Sequence, residues 1–295
     1  MSSNMPALSP EALRSSVQSL AQRAMQTLGV RHPAYGRAMS ALRRPMNYMR
    51  YAELPAALTL IELTPGMKVL DVSSPQWLSL WLAAANPAVD FTYINIIESE
   101  LAGFGDIAQA CGLVNLHFLM ADVRALEMPD ASFDRVLSIS VIEHVYPEQG
   151  GDLQALAEIK RVLKPDGRIV VTVPFKHQAS TVYSDGAVYE RAATTRSFYA
   201  REYDAPSFAA LVRAAELKAE QTLYVCERPG LGALDHWEWG PGKGTASARV
   251  LLLAKKLVER SSRRSLDPLL ARRHLVVAQQ VQYRPVNVVC RLAMA

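Results

Sequence analysis

The sequence predicts an α/β protein built on a doubly wound parallel sheet, with an N-terminal helical extension. Between residues 66 and 175, short apolar or β-branched runs alternate with helical patterns roughly 12–15 residues long. The apolar runs are continuous, which is typical of strands buried on both faces. Alternation of such strands with helices indicates a parallel sheet covered by helices. A chain of 295 residues is long enough for one large core and an accessory segment.

Residues 1–62 are expected to form the helical extension, which would lie over the rest of the molecule as a lid. Ser9 followed by Pro10 predicts an N-cap and a first helical residue, and Leu13 begins an apolar stripe. Two more helices are expected, at Ala34–Leu42 and at Tyr48–Ile61, the latter interrupted by Pro55.

The second domain, residues 63–295, should contain the sheet. Asn115 and the turn at Lys164–Gly167 separate helices from strands. The expected strands are Lys68–Val72, Asp90–Ile96, Leu116–Met120, Arg135–Ile139 and Arg168–Val173. The expected helices between them are Trp77–Ala85, Glu100–Cys111 and Gly151–Leu163.

The alternation lapses at about residues 175–205, a tyrosine-rich insertion. A connection of this length indicates a segment with its own structure or function. A Gly- and Pro-rich stretch follows later, at residues 229–244. The remaining expected elements are a helix at Pro206–Ala215, a strand at Lys218–Cys226, a helix at Ala246–Arg260 and a final strand at Val286–Ala293.

The net charge of +4 is concentrated between Lys255 and Arg273. This segment contains seven Lys or Arg residues and only two acids, Glu259 and Asp267. Such a run is typical of a nucleic-acid patch, an anionic-membrane patch or a solvated helix face. No aromatic residue is interleaved to stack on bases, so we favour the solvated face and expect no nucleic-acid partner.

Other features of the composition bear on location and assembly. No apolar run reaches the ~18–20 residues that a membrane span requires, and the N-terminus lacks the basic start and apolar core of a secretory signal. The three cysteines are far apart, which favours neither disulfides nor a zinc site. We expect a cytoplasmic protein without a membrane span. A homo-oligomer stays possible.

Five short segments, in this order along the chain, resemble the class I S-adenosylmethionine-dependent methyltransferases, over about Gly66–Phe175. The resemblance implies S-adenosyl-L-methionine as the cofactor and a sheet of order 3-2-1-4-5-7-6 with its last strand antiparallel. The clearest segments are LAEIKRVLKPDGRIVVTVPF (Leu156–Phe175), ASFDRVLSISVIEHV (Ala131–Val145) and FLMADVRALEMPD (Phe118–Asp130).

In such a sheet the ligand lies beyond the carboxyl ends of the strands, where the strand order reverses. This places Asp71 and the segment from Ser140 to His144 around one cleft. The resemblance assigns the adenine contact to Asp122, with Val123 beside it; a helix cap is the alternative role for Asp122. At the end of the second strand Asn95 stands where the family has a ribose-binding acid, and Glu98 is the alternative.

The turn after the first strand departs from the family. It reads VLDVSSPQW, with Ser73, Pro75 and Trp77 where glycines are expected, and these residues are not expected to adopt positive φ. Ser74 followed by Pro75 predicts an N-cap that keeps the positive helix end toward the cofactor, with the hydroxyls of Ser73 and Ser74 facing its carboxylate. A decayed site, with Trp77 filling the space, is the alternative.

Two stretches of the sequence contain side chains that could act as a general base or contact the reacting groups. An imidazole titrates near neutrality, so His144 is a general-base candidate, with Glu143 second; a helix cap or an apolar cleft wall is the other interpretation of His144. In the stretch NYMRYAE, Tyr48 and Tyr51 offer faces to a sulfonium, or simply pack, and Arg50 suits a carboxylate. No cluster has metal-ligand spacing, so no metal is expected.

Three functions fit these observations. The first is methyl transfer to an atom of a small metabolite, because a lid and a large insertion favour an enclosed pocket. The second uses the aminocarboxypropyl arm of S-adenosylmethionine, by transfer or by cyclisation, with release of methylthioadenosine. The third is a non-catalytic binding protein of the same fold.

Overall fold

The computed structural model of the chain describes residues 9–188, 191–228, 246–262 and 265–295. Residues 1–8 of the expected extension and the whole Gly- and Pro-rich stretch at 229–244 lie outside them. The strands are β1 (Lys68–Val72), β2 (Asp90–Asn95), β3 (Leu116–Met120), β4 (Phe133–Ile139), β5 (Leu163–Pro174), β6 (Ser180–Val188), β7 (Arg191–Glu202), β8 (Leu217–Glu227), β9 (Leu275–Ala278) and β10 (Arg284–Met294).

Helices precede and follow these strands as the alternation predicts. A short 3₁₀ turn, Ile142–His144, follows β4. The α-helices are α1 (Pro10–Leu28), α2 (Tyr35–Arg43), α3 (Arg50–Leu60), α4 (Gln76–Ala85), α5 (Glu98–Ala110), α6 (Gly151–Val162), α7 (Ala205–Ala214), α8 (Ala246–Ser262) and α9 (Asp267–His274). Among the helices described, none is both long and apolar enough to cross a membrane.

Within the described residues the main sheet has eight strands in the order β3-β2-β1-β4-β5-β10-β8-β9. Strands β1 to β5 are parallel, and β10 runs antiparallel to both β5 and β8. The α/β doubly wound class and the antiparallel last strand are confirmed. The strand count differs, because β9 adds an edge strand that pairs with β8. Its four residues, LVVA, are too few for a period to be recognised.

The insertion has its own structure, as expected. Strands β6 and β7 form an antiparallel hairpin outside the main sheet. A bridge between Phe175 and Tyr203 attaches the base of the hairpin to the end of β5. The hairpin therefore stands at the carboxyl edge of the parallel strands, where ligands bind in this class.

The expected turn at Lys164–Gly167 is absorbed into β5, which begins at Leu163. The pairing of β4 with β5 shifts register between Phe133 and Arg135, so the turn residues bulge from an otherwise continuous strand pair. A Cβ on Gly167 would lie 2.6 Å from the Leu163 side chain, which explains the glycine.

The N-terminal helices pack directly on the sheet domain. Ser9 caps α1, because its hydroxyl accepts from the Ala12 N–H at 3.1 Å. Helix α3 is continuous through Pro55, so the expected interruption is wrong: the proline removes one backbone donor but the packing of both halves is retained. Tyr51, Leu54 and Leu60 of α3 are buried in the main core.

Two hydrophobic clusters cover the two faces of the sheet. One combines side chains of α1 to α5 with inward-facing residues of β1 and β2, and the other combines those of α6 and α7 with residues of β5 and β10. The result is a three-layer arrangement in which the strand order reverses between β1 and β4. That reversal opens a crevice at their carboxyl ends.

Candidate functional site

Two cavities open at the carboxyl ends of the strands. Cavity A, about 580 Å³, lies between the ends of β1, β2 and β4 and the residues after β3. Cavity B, about 400 Å³, lies between the β1–α4 turn and the N-terminal helices, with Arg44 and Arg50 in its wall. Both volumes fall in the range usual for small-molecule sites. Ser73 and Ser140 line both cavities.

Ser73 and Ser140 both have left-handed backbone, with φ of 52° and 53°. The expectation that Ser73 would not adopt positive φ is therefore wrong. Its backbone is held by the N–H at 3.0 Å and the hydroxyl at 2.8 Å, which both donate to the Ile94 carbonyl. Non-glycine residues in this conformation are strained and cluster at functional sites.

Ser74 does not cap α4. The N-cap is Pro75, with no side-chain hydrogen bond, and Ser74 is fully buried. Its N–H donates to Asp71 at 3.0 Å and its hydroxyl accepts from the Ile139 N–H at 3.1 Å. The hydroxyl thus joins the β1 turn to β4, and the expected contact with a cofactor carboxylate is replaced by an internal one.

Asp71 is also internal. Its carboxyl accepts from the hydroxyl of Ser79 and the N–H of Ser74, and it lines neither cavity. Burial raises the pKa of Asp71 to about 6, against the lowering effect of these donors. Asp71 therefore supports the turn from beneath instead of touching a ligand in the cavities.

Of the two ribose candidates, Asn95 lines cavity A and Glu98 does not. Asn95 is fixed by the Ile97 N–H, which donates to its Oδ1 at 3.0 Å, and its Nδ2 donates to the Tyr93 hydroxyl at 3.3 Å. Glu98 is exposed at the first turn of α5. Glu100, on the same helix, does line cavity A, and sequence reasoning missed it.

Asp122 lies in the wall of cavity A beside the buried Val123. The Arg124 guanidinium donates to both carboxylate oxygens through Nε at 3.0 Å, and the Arg124 N–H donates at 2.9 Å. Hydrogen bonds from Arg124 hold the pKa of Asp122 below its usual value. An ionised acceptor next to an apolar side chain suits the amino group and the face of a base.

His144 lines cavity A on the 3₁₀ turn after β4. Its Nδ1 lies 2.8 Å from the Tyr199 carbonyl, and the two rings meet edge to face at 4.8 Å between centroids. A carbonyl only accepts, so Nδ1 carries the proton and Nε2 is the basic nitrogen of the neutral ring. His144 is therefore oriented by the hairpin.

Glu143 is buried behind His144 and lines neither cavity. Its Oε1 lies 3.7 Å from His144 Nε2. Burial raises the pKa of Glu143 to about 8, so the carboxyl is protonated at neutral pH. A carboxyl that is protonated and outside the cavities does not suit the expected role of second base.

Arg201 of β7 supports the segment that carries His144, and sequence reasoning missed it. This arginine is nearly buried, and its guanidinium donates to four backbone carbonyls of one short segment, at 2.6–3.2 Å. The carbonyls belong to Glu143, Val145, Pro147 and Glu148. The hairpin thereby fixes one wall of cavity A. No local sequence signal links Arg201 to a segment more than 50 residues earlier.

A buried carboxylate in α3, Glu53, was also missed. Its Oε1 accepts from Ser140 at 2.7 Å, Thr172 at 2.5 Å and Asn287 at 2.8 Å, and its Oε2 pairs with Arg50. Burial alone would raise the pKa of Glu53, but Arg50 and the donors lower it below its usual value. Ionised Glu53 therefore fixes Arg50 in the wall of cavity B.

Tyr48 and Tyr51 face away from both cavities. Tyr51 is fully buried in α3, and burial raises its pKa. The Tyr48 ring lies 6.3 Å from the His274 ring, on the side of α9. The structure supports packing for both tyrosines, in place of the expected contacts with a sulfonium or a substrate.

A protein-family model described as a methyltransferase domain matches residues 70–171, which run from β1 to β5 and contain most of cavity A. The part of the chain that carries cavity A is thus similar to methyltransferase domains. S-adenosyl-L-methionine is the cofactor that this similarity implies.

Two curated relatives match part of this chain. A probable S-adenosylmethionine-dependent methyltransferase of Mycolicibacterium smegmatis is 34% identical over 110 residues, 37% of this chain and 38% of the relative. A ubiquinone/menaquinone biosynthesis C-methyltransferase of Bordetella avium is 32% identical over 109 residues, 36% of this chain and 41% of the relative. The matches thus span about two fifths of each relative.

Among solved structures, a putative sarcosine dimethylglycine methyltransferase from Galdieria sulphuraria is similar to this chain. The sequence identity is 15%, the TM-score is 0.48, and the match covers 83% of each chain.

The residues around the two cavities suit S-adenosylmethionine. Asp122 offers an ionised acceptor, Asn95 offers an amide to a diol, and Arg50 offers a cation to a carboxylate. Among the described lining residues of cavity B, two are arginines and none is acidic. Among the residues that the structure describes, no three His, Cys, Asp or Glu side chains come together as a metal site.

Proposed function

We propose that this protein transfers a methyl group from S-adenosylmethionine to a small metabolite. The observation that carries the proposal is that two cavities meet at Ser73 and Ser140, at the point where the strand order reverses. Two adjoining spaces suit a cofactor and an acceptor that must react in line. The cofactor, when bound, supplies an electrophilic methyl group.

The side chains around cavity A supply the cofactor contacts in this proposal. Asp122 accepts from the adenine amino group, Asn95 contacts the ribose diol, and Val123 packs on the base. Arg50, fixed by Glu53, binds the carboxylate from the side of cavity B. This arrangement compensates for the missing glycines, because a guanidinium replaces backbone amides as the anion-binding group.

The acceptor takes the remaining space of cavity B, between the apolar side chains of Leu13, Val17 and Leu78. Where the acceptor reaches past Ser140 into cavity A and must lose a proton, His144 Nε2 is the base, with Nδ1 donating to the Tyr199 carbonyl. Cytoplasmic location and a small-molecule partner belong to the same proposal.

Use of the aminocarboxypropyl arm is the second candidate. One observation favours it: the altered turn, with Pro75 and Trp77, forms the wall of cavity B, where that arm would reach Arg50. Trp77 is fixed there by an edge-to-face contact with Phe104, at 6.0 Å between ring centroids. A different turn would present a different carbon of the sulfonium to a nucleophile.

Product analysis distinguishes the functions. The protein is incubated with S-adenosylmethionine, with and without a panel of small acceptors, and the products are separated by liquid chromatography. S-adenosylhomocysteine supports methyl transfer, methylthioadenosine supports the second candidate, and neither supports a binding protein.

Cofactor binding is tested separately by calorimetry with S-adenosylhomocysteine. Asp122→Ala should weaken binding by about 1–3 kcal/mol, the usual cost of losing a partner for a buried polar group. Asp130→Ala is the control, because Asp130 is exposed and lies outside the described walls of both cavities. Equal affinities for the two variants would remove Asp122 from the site.

A further inference from the structure

Helix α8 exposes leucines and basic residues together. Leu253 and Leu257, one turn apart, are 61% and 67% exposed. Lys256 and Arg260 are exposed on the adjacent side of the same helix. Residues three and four apart share a helix face, so these four side chains form one surface, which we name the leucine–cation face.

Helix α9 repeats the pattern. Leu269 is 55% exposed, and Arg272 and Arg273, three and four residues on, are exposed as well. The two helices are joined through Lys255, which pairs with Asp267 of α9 at 2.6 Å. The leucine–cation face and its counterpart on α9 therefore belong to one helical pair.

The acids of this pair are turned inward. Glu259 is nearly buried and pairs with Lys255 at 3.2 Å and with Arg44, and Asp267 is nearly buried against Lys255. Among the described side chains of α8 and α9, every exposed charge is thus positive. The surface presents cations and leucines without a compensating carboxylate.

We propose that the leucine–cation face binds the surface of an anionic lipid bilayer. Exposed leucines gain free energy by entering the boundary between headgroups and acyl chains, and adjacent cations gain it from the anionic headgroups. A nucleic acid fits less well, because it uses the cations but offers nothing to the leucines, and the helices carry no Phe, Tyr or Trp for stacking.

A second copy of the chain also fits less well. A two-fold dimer brings the same surface of each copy together, so the cations of one face would meet those of the other. This inference concerns a surface that is separate from cavities A and B, and it does not depend on the reaction that the protein catalyses.

The test is co-sedimentation of the full-length protein with sucrose-loaded vesicles of phosphatidylcholine and phosphatidylglycerol in 4:1 ratio, against vesicles of phosphatidylcholine alone. We expect binding to the anionic vesicles at low salt and weaker binding at higher salt. Lys256→Gln with Arg260→Gln should lower the partition coefficient about 30-fold, since each cation near such a surface is worth a factor of about five. Leu253→Ser with Leu257→Ser should lower it at least about ten-fold.

Matched controls carry equal changes on other surfaces. Arg213→Gln with Lys218→Gln removes two exposed cations, and Val30→Ser with Val114→Ser removes two exposed apolar side chains. Both controls should bind like the parent protein. Unchanged thermal unfolding and S-adenosylhomocysteine affinity in every variant establish that the effects are local.

Four results would overturn the proposal. The first is no sedimentation with anionic vesicles at low salt, and the second is equal binding to the neutral vesicles. The third is that heparin or duplex DNA binds more tightly than the vesicles and the leucine variant binds them normally, which assigns the surface to a polyanion. The fourth is a dimer in light scattering that the leucine variant abolishes, which assigns it to a second copy.

Discussion

At the scale of single residues, the site depends on backbone conformations and buried charges that the sequence does not display. Ser73 and Ser140 both adopt left-handed conformations where the two cavities meet. Each is held by hydrogen bonds to a neighbouring strand, from Ser73 to Ile94 and from Ser140 to Thr172. Ser73 thus stands where a glycine is expected, and the bonds to Ile94 offset the strain of its conformation.

The strain at Ser73 can be measured by comparing Ser73→Gly with Ser73→Ala. Both variants lose the hydroxyl bond to Ile94, but only glycine is relaxed at a φ of 52°. We expect Ser73→Gly to be about 1–2 kcal/mol more stable than Ser73→Ala in urea unfolding.

Ser99, exposed in α5, provides the control for this comparison. In a right-handed helix alanine is more favourable than glycine, so the Ser99→Ala variant should be more stable than the Ser99→Gly variant by about 1 kcal/mol. The same order at both positions would contradict the left-handed conformation of Ser73.

The buried carboxyl of Glu143 makes stability depend on pH. Burial raises its pKa from 4.5 to about 8, so the folded protein keeps a proton that the unfolded chain releases above pH 4.5. The contribution of protonated Glu143 to the unfolding free energy is therefore complete below pH 4.5. It decreases as the pH rises to about 8, by about 1.4 kcal/mol per pH unit.

Urea unfolding between pH 5 and pH 8 tests this assignment. We expect Glu143→Gln to remove most of the decrease in unfolding free energy that the parent protein shows over this range. Glu127→Gln is the control, because Glu127 is exposed and should leave the slope unchanged. Parallel curves for the parent protein and Glu143→Gln would mean that Glu143 is ionised when folded.

At the scale of elements, the hydrophobic pattern predicted the parallel strands well because each is a continuous apolar run with a turn on either side. Strands β1 and β3 have the expected bounds. The pattern failed where local sequence does not decide the structure. Strand β9 exists because β8 offers an edge to pair with, and the hairpin of β6 and β7 shows no clear alternation.

The candidate site was predicted in part for the same reason. Asn95, Asp122, Ser140 and His144 follow strands directly, so the ends of the strands bring them to cavity A. The cap at Ser74 was misplaced because the hydroxyl found a partner in β4. Glu53 and Arg201 come from elements far along the chain, and only the tertiary structure brings them to the site.

The hairpin of β6 and β7 acts on cavity A through Arg201. We expect Arg201→Gln to weaken S-adenosylhomocysteine binding at least five-fold, because the carbonyls of the segment around His144 lose their common donor. Calorimetry provides the measurement.

A control in the middle of the hairpin separates this effect from a general loss of order in the hairpin. Arg196 stacks on Tyr183 of the same hairpin, with 4.2 Å between its guanidinium carbon and the ring centroid, and lines neither cavity. Arg196→Gln should bind the ligand like the parent protein. Normal binding by Arg201→Gln at unchanged stability would show that the hairpin does not hold the cavity wall.

At the scale of the whole molecule, the N-terminal helices are part of one core. Leu13, Val17 and Leu20 of α1 are buried in the cluster that includes α4 and α5. Arg23 adds a hydrogen bond at 2.8 Å to the Cys111 carbonyl at the end of α5. Leu13 and Val17 also line cavity B, so the same helix closes the core and the candidate acceptor space.

This arrangement predicts that residues 1–45 cannot be removed as a lid. Each large apolar side chain buried by α1 contributes about 1.5–3 kcal/mol, and removal would expose the partner surfaces on α4 and α5 as well. We expect the truncated protein to lose more than about 4 kcal/mol of unfolding free energy.

Since truncation can prevent folding altogether, Leu20→Ala is the milder test, with an expected loss of about 2–5 kcal/mol. Val30→Ala, at an exposed position after α1, should change stability by less than about 0.5 kcal/mol. A truncated protein that unfolds at the parent's urea midpoint would instead make the helices a separate layer, and the sheet domain would then be able to bind S-adenosylhomocysteine without them.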